Sequence, residues 1–162
     1  MQELLFWIKN SGFGHFMREE QWAFSICESI HFIGLSFLFG ALMVIDIRMM
    51  GFFRSINIRA AMKLIPLAIF GFAINLITGI CFIFTDPFQY WNNPMFRMKM
   101  VLVLLAGINA IYHEVACKER VCAIPDGADP DTRAKVIGGL SLGLWLLVML
   151  AGRLLPQFAV EG

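Results

Sequence analysis

Charge is scarce in this chain. Only 15% of its 162 residues are Asp, Glu, Lys or Arg, while 59% are hydrophobic, with 16 Phe and 10 Met. Ordinary soluble domains carry about 25% charged residues. A soluble core of this length has no room for so much apolar surface, so lipid is the economical exterior. The net charge of +1 leaves no basic excess to attract nucleic acid. Cysteine is sparse as well: Cys27, Cys81, Cys117 and Cys122 form no CxxC pair. The last two flank Lys118, Glu119 and Arg120 without the histidines that a zinc site wants, so all four read as small buried or interfacial thiols. No zinc-protease motif, nucleophile elbow or phosphate-binding glycine loop occurs, which removes the sequence case for those enzyme classes. The start of the chain, MQELLFWIKN, lacks the features of a secretory signal: it has Glu3, a short apolar core and no small-residue cleavage site.

What is present is long apolar sequence. A spanning helix needs about 20 predominantly apolar residues. Four stretches qualify, over about 22–47, 63–85, 95–117 and 134–155, leaving no sequence for a second domain within residues 1–162. Ahead of them, Leu4, Leu5, Phe6, Trp7 and Ile8, then Phe13, Phe16 and Met17, predict a segment lying on the membrane surface. The connections carry turn chemistry. TDPFQYWNNP joins Pro87, Asn92, Asn93 and Pro94 to the aromatic pair Tyr90–Trp91 expected at a headgroup boundary. Asp129 is placed to cap the fourth helix with Pro130 at its first position, and Pro66 sits in the first turn of the second.

Cations set the orientation. The first and third connections hold Arg48, Arg54, Arg59, Lys63, Lys118, Arg120, Arg133 and Lys135; the opposite side holds Lys9, Arg18, Arg97, Lys99 and Arg153. The excess places both termini outside the cytoplasm.

Helical spacing groups the polar residues onto one side of each span: Glu28, His31 and Asp46 on the first; Gly71, Asn75 and Gly79 on the second; Lys99, Asn109 and His113 on the third; Gly138, Ser141 and Gly152 on the fourth. Four such sides turned together predict an all-α, antiparallel four-helix bundle with a partly polar interior. At about 1.5 Å of rise per residue, the polar groups fall into two layers. The outer one holds Glu28, His31, Lys99 and Arg153. The inner one holds Asp46, Arg48, Asn109, His113 and Ser141, with Asn75 between. Intramembrane charges are costly, so the expectation is that Glu28 meets Lys99 or Arg153 beside His31, and that Asp46 is neutralised by Arg48 or by His113.

The stretches ESIHFIGLSFLFGALMVIDIRMMG, YWNNPMFRMKMVLVLLAGINA and LSLGLWLLVMLAGR resemble an uncharacterised family of small bacterial four-helix inner-membrane proteins, through E-x-x-H, D-x-R, N-P-x-F-R-x-K and G-R pieces. The resemblance covers nearly all of the chain after about residue 18. It implies the same topology, draws notice to Glu28, His31, Asp46, Arg48, Lys99, Asn109 and Arg153, and supplies no reaction. A looser likeness to copper-resistance membrane proteins is one of architecture.

Several readings stand at this point. In the first, the polar cluster is structural, and the protein is a non-enzymatic accessory or subunit of a membrane assembly, associating with other membrane subunits or with itself. In the second, His31 ligates haem b. A bis-histidine site with His113 requires equal depth, which the spacing denies. In the third, His15, Met95, Met98 and Met100 hold copper or another soft metal, although Met also fills cores and Arg97 and Lys99 interleave the run. In the fourth, Glu28, His31, Asn75, Asn109, His113 and Asp46 form a proton or small-anion pathway. Enzymes acting on lipids or quinones are the remaining class.

Overall fold

In a computed structural model residues 2–158 are described, and among them all regular structure is helical. The chain opens with two short helices, α1 (Gln2–Lys9) and α2 (Gly12–Glu19). Leu5, Gly14 and Met17 turn inward, while Leu4, Phe6, Trp7, Phe13 and Phe16 remain exposed. That exposed apolar face suits a segment bedded in a headgroup boundary. Arg18 ties the segment down, donating to the carbonyls of Phe84 and Thr85 at 3.3 Å each.

Four long elements follow. They are α3 (Gln21–Met49); α5 (Ile65–Thr85), preceded by the short α4 (Ile58–Met62); α7 (Pro94–Tyr112); and α9 (Thr132–Leu154). Between α5 and α7 lies α6 (Pro87–Asn92). After α7 the chain continues through a π-helical turn, His113–Cys117, and α8 (Lys118–Cys122). Four stretches, Trp22–Met49, Ile58–Thr85, Pro94–Cys122 and Thr132–Phe158, are long and apolar enough to cross a membrane. They match the four spans expected from hydropathy.

Local chemistry explains the breaks. Asp86 caps α6, accepting from Gln89 N–H at 3.2 Å, with Pro87 just inside. Asn93 caps α7, accepting from Met95 N–H at 2.9 Å, with Pro94 just inside. In each pair the side chain satisfies an orphan N–H and the proline needs none. The start of α9 departs from expectation. Its cap is Asp131, accepting from Ala134 N–H at 2.9 Å. Asp129 is drawn away by two cations, Lys135 at 2.7 Å and Arg54 at 3.0 Å.

Small residues decide which helices touch. A Cβ on Gly71 of α5 would lie 2.5 Å from the Leu38 nitrogen and 2.6 Å from the Gly34 oxygen of α3, so these backbones are in contact. A Cβ on Gly138 of α9 would lie 2.9 Å from the Asp46 oxygen of α3. On α7, Ala106 and Asn109 pack toward α9, and the Asn109 amide donates to the Ile137 carbonyl at 3.3 Å. By contact the helices follow the order α5, α3, α9, α7, with Gly71 of α5 on Gly34 and Leu38 of α3, and Asn109 of α7 on Ile137 of α9. The α5 and α7 backbones do not pack on one another. Their side of the assembly is bridged by side chains: Phe72 of α5 meets Trp145 of α9 edge-on at 6.1 Å between centroids. Leu38, Ala41, Ala68, Ala106, Trp145 and Val148 form the central apolar cluster.

Candidate functional site

Along the helices the expected polar residues stand well apart. His31 and Asp46 on α3 are separated by about 22 Å of helix rise, and Lys99 and His113 on the third span by about 21 Å. The central cluster around Trp145 occupies the depth between them.

In the outer layer, His31 and Thr78 define the best-determined contact. His31 Nδ1 lies 2.7 Å from Thr78 Oγ1, and Thr78 Oγ1 lies 2.7 Å from the Ile74 carbonyl oxygen. A hydroxyl has one proton, and a carbonyl can only accept. Thr78 therefore donates to Ile74, and His31 Nδ1–H donates to Thr78. This fixes the tautomer of the neutral ring and leaves the Nε2 lone pair free. The Phe82 ring packs against the imidazole at 5.2 Å between centroids.

Lys99 lies across the α7–α9 contact. Its ammonium would stand 3.5 Å from a Cβ placed on Gly152, and its charge reaches His31. Glu28 and Arg153 are exposed, and among the described residues neither forms an ion pair within 4.0 Å. The expected Glu28–Lys99 or Glu28–Arg153 bridge is thus not formed. Burial first, then Asp86, hold the Tyr90 phenol above its ordinary value.

In the inner layer, Asp46 is 3% exposed, and Gly138 of α9 lies against its backbone. Arg48, two residues on, faces elsewhere. It is fully buried, donating from Nε to the Ile56 carbonyl at 2.7 Å and from Nη2 to the Ala128 carbonyl at 3.3 Å. Two residues along a helix project about 200° apart, so the expected Asp46–Arg48 neutralisation does not occur. Arg48 instead stitches the two inner connections to the end of α3. His113 is buried at the first position of the π-helical turn, a distortion that often accompanies functional positions. Three buried atoms have no hydrogen-bond partner among the described residues: Asp46 Oδ2, Arg48 Nη1 and His113 Nε2. Asn75, expected between the layers, spends its amide on the Gly71 carbonyl of its own helix at 2.9 Å.

The soft-metal candidates lie on two helices, α2 and α7. His15 is exposed on α2 and contacts Glu19 at 3.4 Å. Met98 and Met100 are both exposed, and their spacing points them to different sides of α7. Met95 is half-buried at its start. Among the described residues no three His, Cys, Asp or Glu side chains are grouped to hold a metal ion.

Sequence reasoning missed one pair. Cys27 of α3 and Cys81 of α5 belong to one packed cluster, and Cys27 Sγ lies 3.8 Å from the Thr78 carbonyl. They stand far apart along the chain, and only the register of α3 and α5 brings them together. Comparison of the chain with protein-family models, curated proteins and solved structures finds no match.

Proposed function

We propose that this chain is a multi-pass protein of a bacterial plasma membrane, its four long helices crossing as an antiparallel bundle with both termini outside. In this reading it acts as a non-enzymatic accessory subunit of a membrane assembly. The observation that carries the reading is an interior left unfinished. Asp46 Oδ2, Arg48 Nη1 and His113 Nε2 are buried without partners, and Lys99 forms no ion pair among the described residues. Each unsatisfied group costs about 1–3 kcal/mol, more when charged, and hydrocarbon supplies no water to relieve it. Ionisable groups kept inside at that cost fit a structural role, fixing how the helices pack beside a neighbouring subunit.

The α5–α7 side is the natural place for that neighbour. Gly79 shares the face of Phe72 on α5, and Gly107 shares the face of Val103 on α7. Both have open space where a side chain would stand. The test is photocrosslinking in native membranes from Gly107, with the lipid-facing Ile33 as control. A discrete protein adduct at Gly107, absent at Ile33 and lost in Lys99→Leu, supports the subunit reading. Equal adducts at both positions, or lipid adducts alone, contradict it.

One observation favours a second reading, a cofactor held at His31. The fixed tautomer presents the Nε2 lone pair, and a hydrogen bond from the other ring nitrogen is the usual support for a ligating histidine. Haem b on His31 predicts a Soret band in purified protein that His31→Ala abolishes. A colourless preparation free of stoichiometric metal removes this reading.

A further inference from the structure

Cys27 and Cys81 lie at the outer ends of α3 and α5, in a small cluster with Met17, Ala23 and Phe82. Cys81 packs against the cluster that holds Cys27, and Cys27 Sγ lies 3.8 Å from the carbonyl of Thr78, one turn before Cys81. The helices are locked in this register from both sides. Below, backbone meets backbone at Gly34 and Gly71; beside the thiols, His31 is bonded to Thr78 across the same contact. Above, α2 lies over the pair, with Met17 5% exposed and Arg18 holding the end of α5. The two thiols differ in access: Cys27 is buried, and Cys81 is half-exposed. Cys117 and Cys122 belong to the opposite end of the molecule, where Cys117 packs with Ile45 and Met49.

We propose that Cys27 and Cys81 are a redox-active dithiol that closes to an α3–α5 disulfide by exchange with an external disulfide, whether of a small molecule or of a protein. Cys81, the accessible member, loses its proton to solvent, and its thiolate attacks the external disulfide. An S–S bond forms to Cys81, and one external sulfur leaves as thiolate. Cys27 then gives up its proton and attacks Cys81 sulfur, expelling the second external thiolate. Two protein thiols are oxidised to one disulfide, one external disulfide is reduced to two thiols, and both released protons go to the leaving thiolates. Reactive thiols are set apart from inert ones by access, and exchange runs through such a mixed disulfide. Since both thiols belong to one packed cluster, closure requires only a local adjustment of the two side chains.

The test uses the full chain, reduced and then exposed to oxidised glutathione in detergent, so it depends neither on orientation in a membrane nor on a partner subunit. Peptide mass spectrometry without reductant should show the Cys27 and Cys81 peptides joined, with loss of two hydrogens, while Cys117 and Cys122 remain open to alkylation. Cys27→Ser should stop at the mixed disulfide, with glutathione retained on Cys81. Cys81→Ser should accumulate no glutathione on Cys27. No joined peptide in the wild-type chain overturns the proposal, as does glutathione on Cys27 and Cys81 to equal extent in the two variants. Joining of Cys81 to Cys117 or Cys122 overturns it as well.

Discussion

Replacing Arg48 with methionine tests the packing of the inner end most severely. The guanidinium is fully buried and reaches two chain segments beyond the end of α3: Ile56 before α4 and Ala128 before α9. Hydrogen bonds from a charged donor contribute about 1.5–3 kcal/mol each, so the two together set a gross loss of about 3–6 kcal/mol. Part of that loss returns, because the methionine variant no longer buries a charge whose Nη1 has no partner. The two carbonyls stand in connections near the surface, where water can reach them. A net destabilisation of about 2–3 kcal/mol remains. Arg48→Lys keeps the charge but offers a single point donor in place of a fork, so it should fall between. Reversible unfolding in mixed detergent measures the difference, and protease cleavage within 50–57 and 123–131 locates it. Arg48→Met within about 0.5 kcal/mol of wild type, with unchanged cleavage, refutes the assignment of Arg48 as the stitch between the connections.

Glycine substitutions separate contact from open space. Gly71→Ala pushes a methyl against Leu38 and Gly34 backbone and should cost about 1–3 kcal/mol, whereas Gly107→Ala meets nothing within 4 Å and should stay within about 0.5 kcal/mol. Equal effects in the same unfolding assay refute the α3–α5 close approach. Acid should loosen the connection before α9. Asp129 is held below the ordinary carboxylate range, first by the hydrogen bond from Lys135 and then by Arg54. A depressed folded value means the stabilisation is complete above the unfolded value, near 4, and is lost as pH falls through the folded one. Protease cleavage in 123–131 should rise over that acid window in wild type and be independent of pH there in Asp129→Asn. A pH response that survives in Asp129→Asn assigns it to another group.

The architecture was legible because it rests on one-dimensional signals. Predominantly apolar runs of spanning length marked all four long helices. Asp86-Pro87 and Asn93-Pro94 marked the breaks around α6, as a capping side chain followed by a residue needing no donor. The cap of α9 was misplaced by two residues, because Asp129 and Asp131 are equally good caps in isolation. Only the fold brings Arg54 and Lys135 to the first of them. The polar pairings were the least legible part. Depth alone put Glu28 opposite Lys99 and Arg153, yet rotation about each helix axis decides contact. Thr78, which has no charge to draw notice, is the residue that receives His31. The Cys27–Cys81 neighbours show the same limit, since the register between α3 and α5 is set by glycines at Gly34 and Gly71 far from either thiol.

The central claim, that hydrocarbon surrounds these four helices, is tested most directly by labelling single cysteines introduced into a chain stripped of its native four, in sealed right-side-out vesicles, with a membrane-impermeant maleimide. The account predicts immediate labelling at Gly12→Cys and Asn92→Cys, labelling of Ser55→Cys and Ala123→Cys only after permeabilisation, and none at the outward-facing Ile69→Cys, although Ile69 is 63% exposed in the bare chain. Labelling of Ile69→Cys as fast as the connections, or of Ser55→Cys together with Asn92→Cys in intact vesicles, contradicts it.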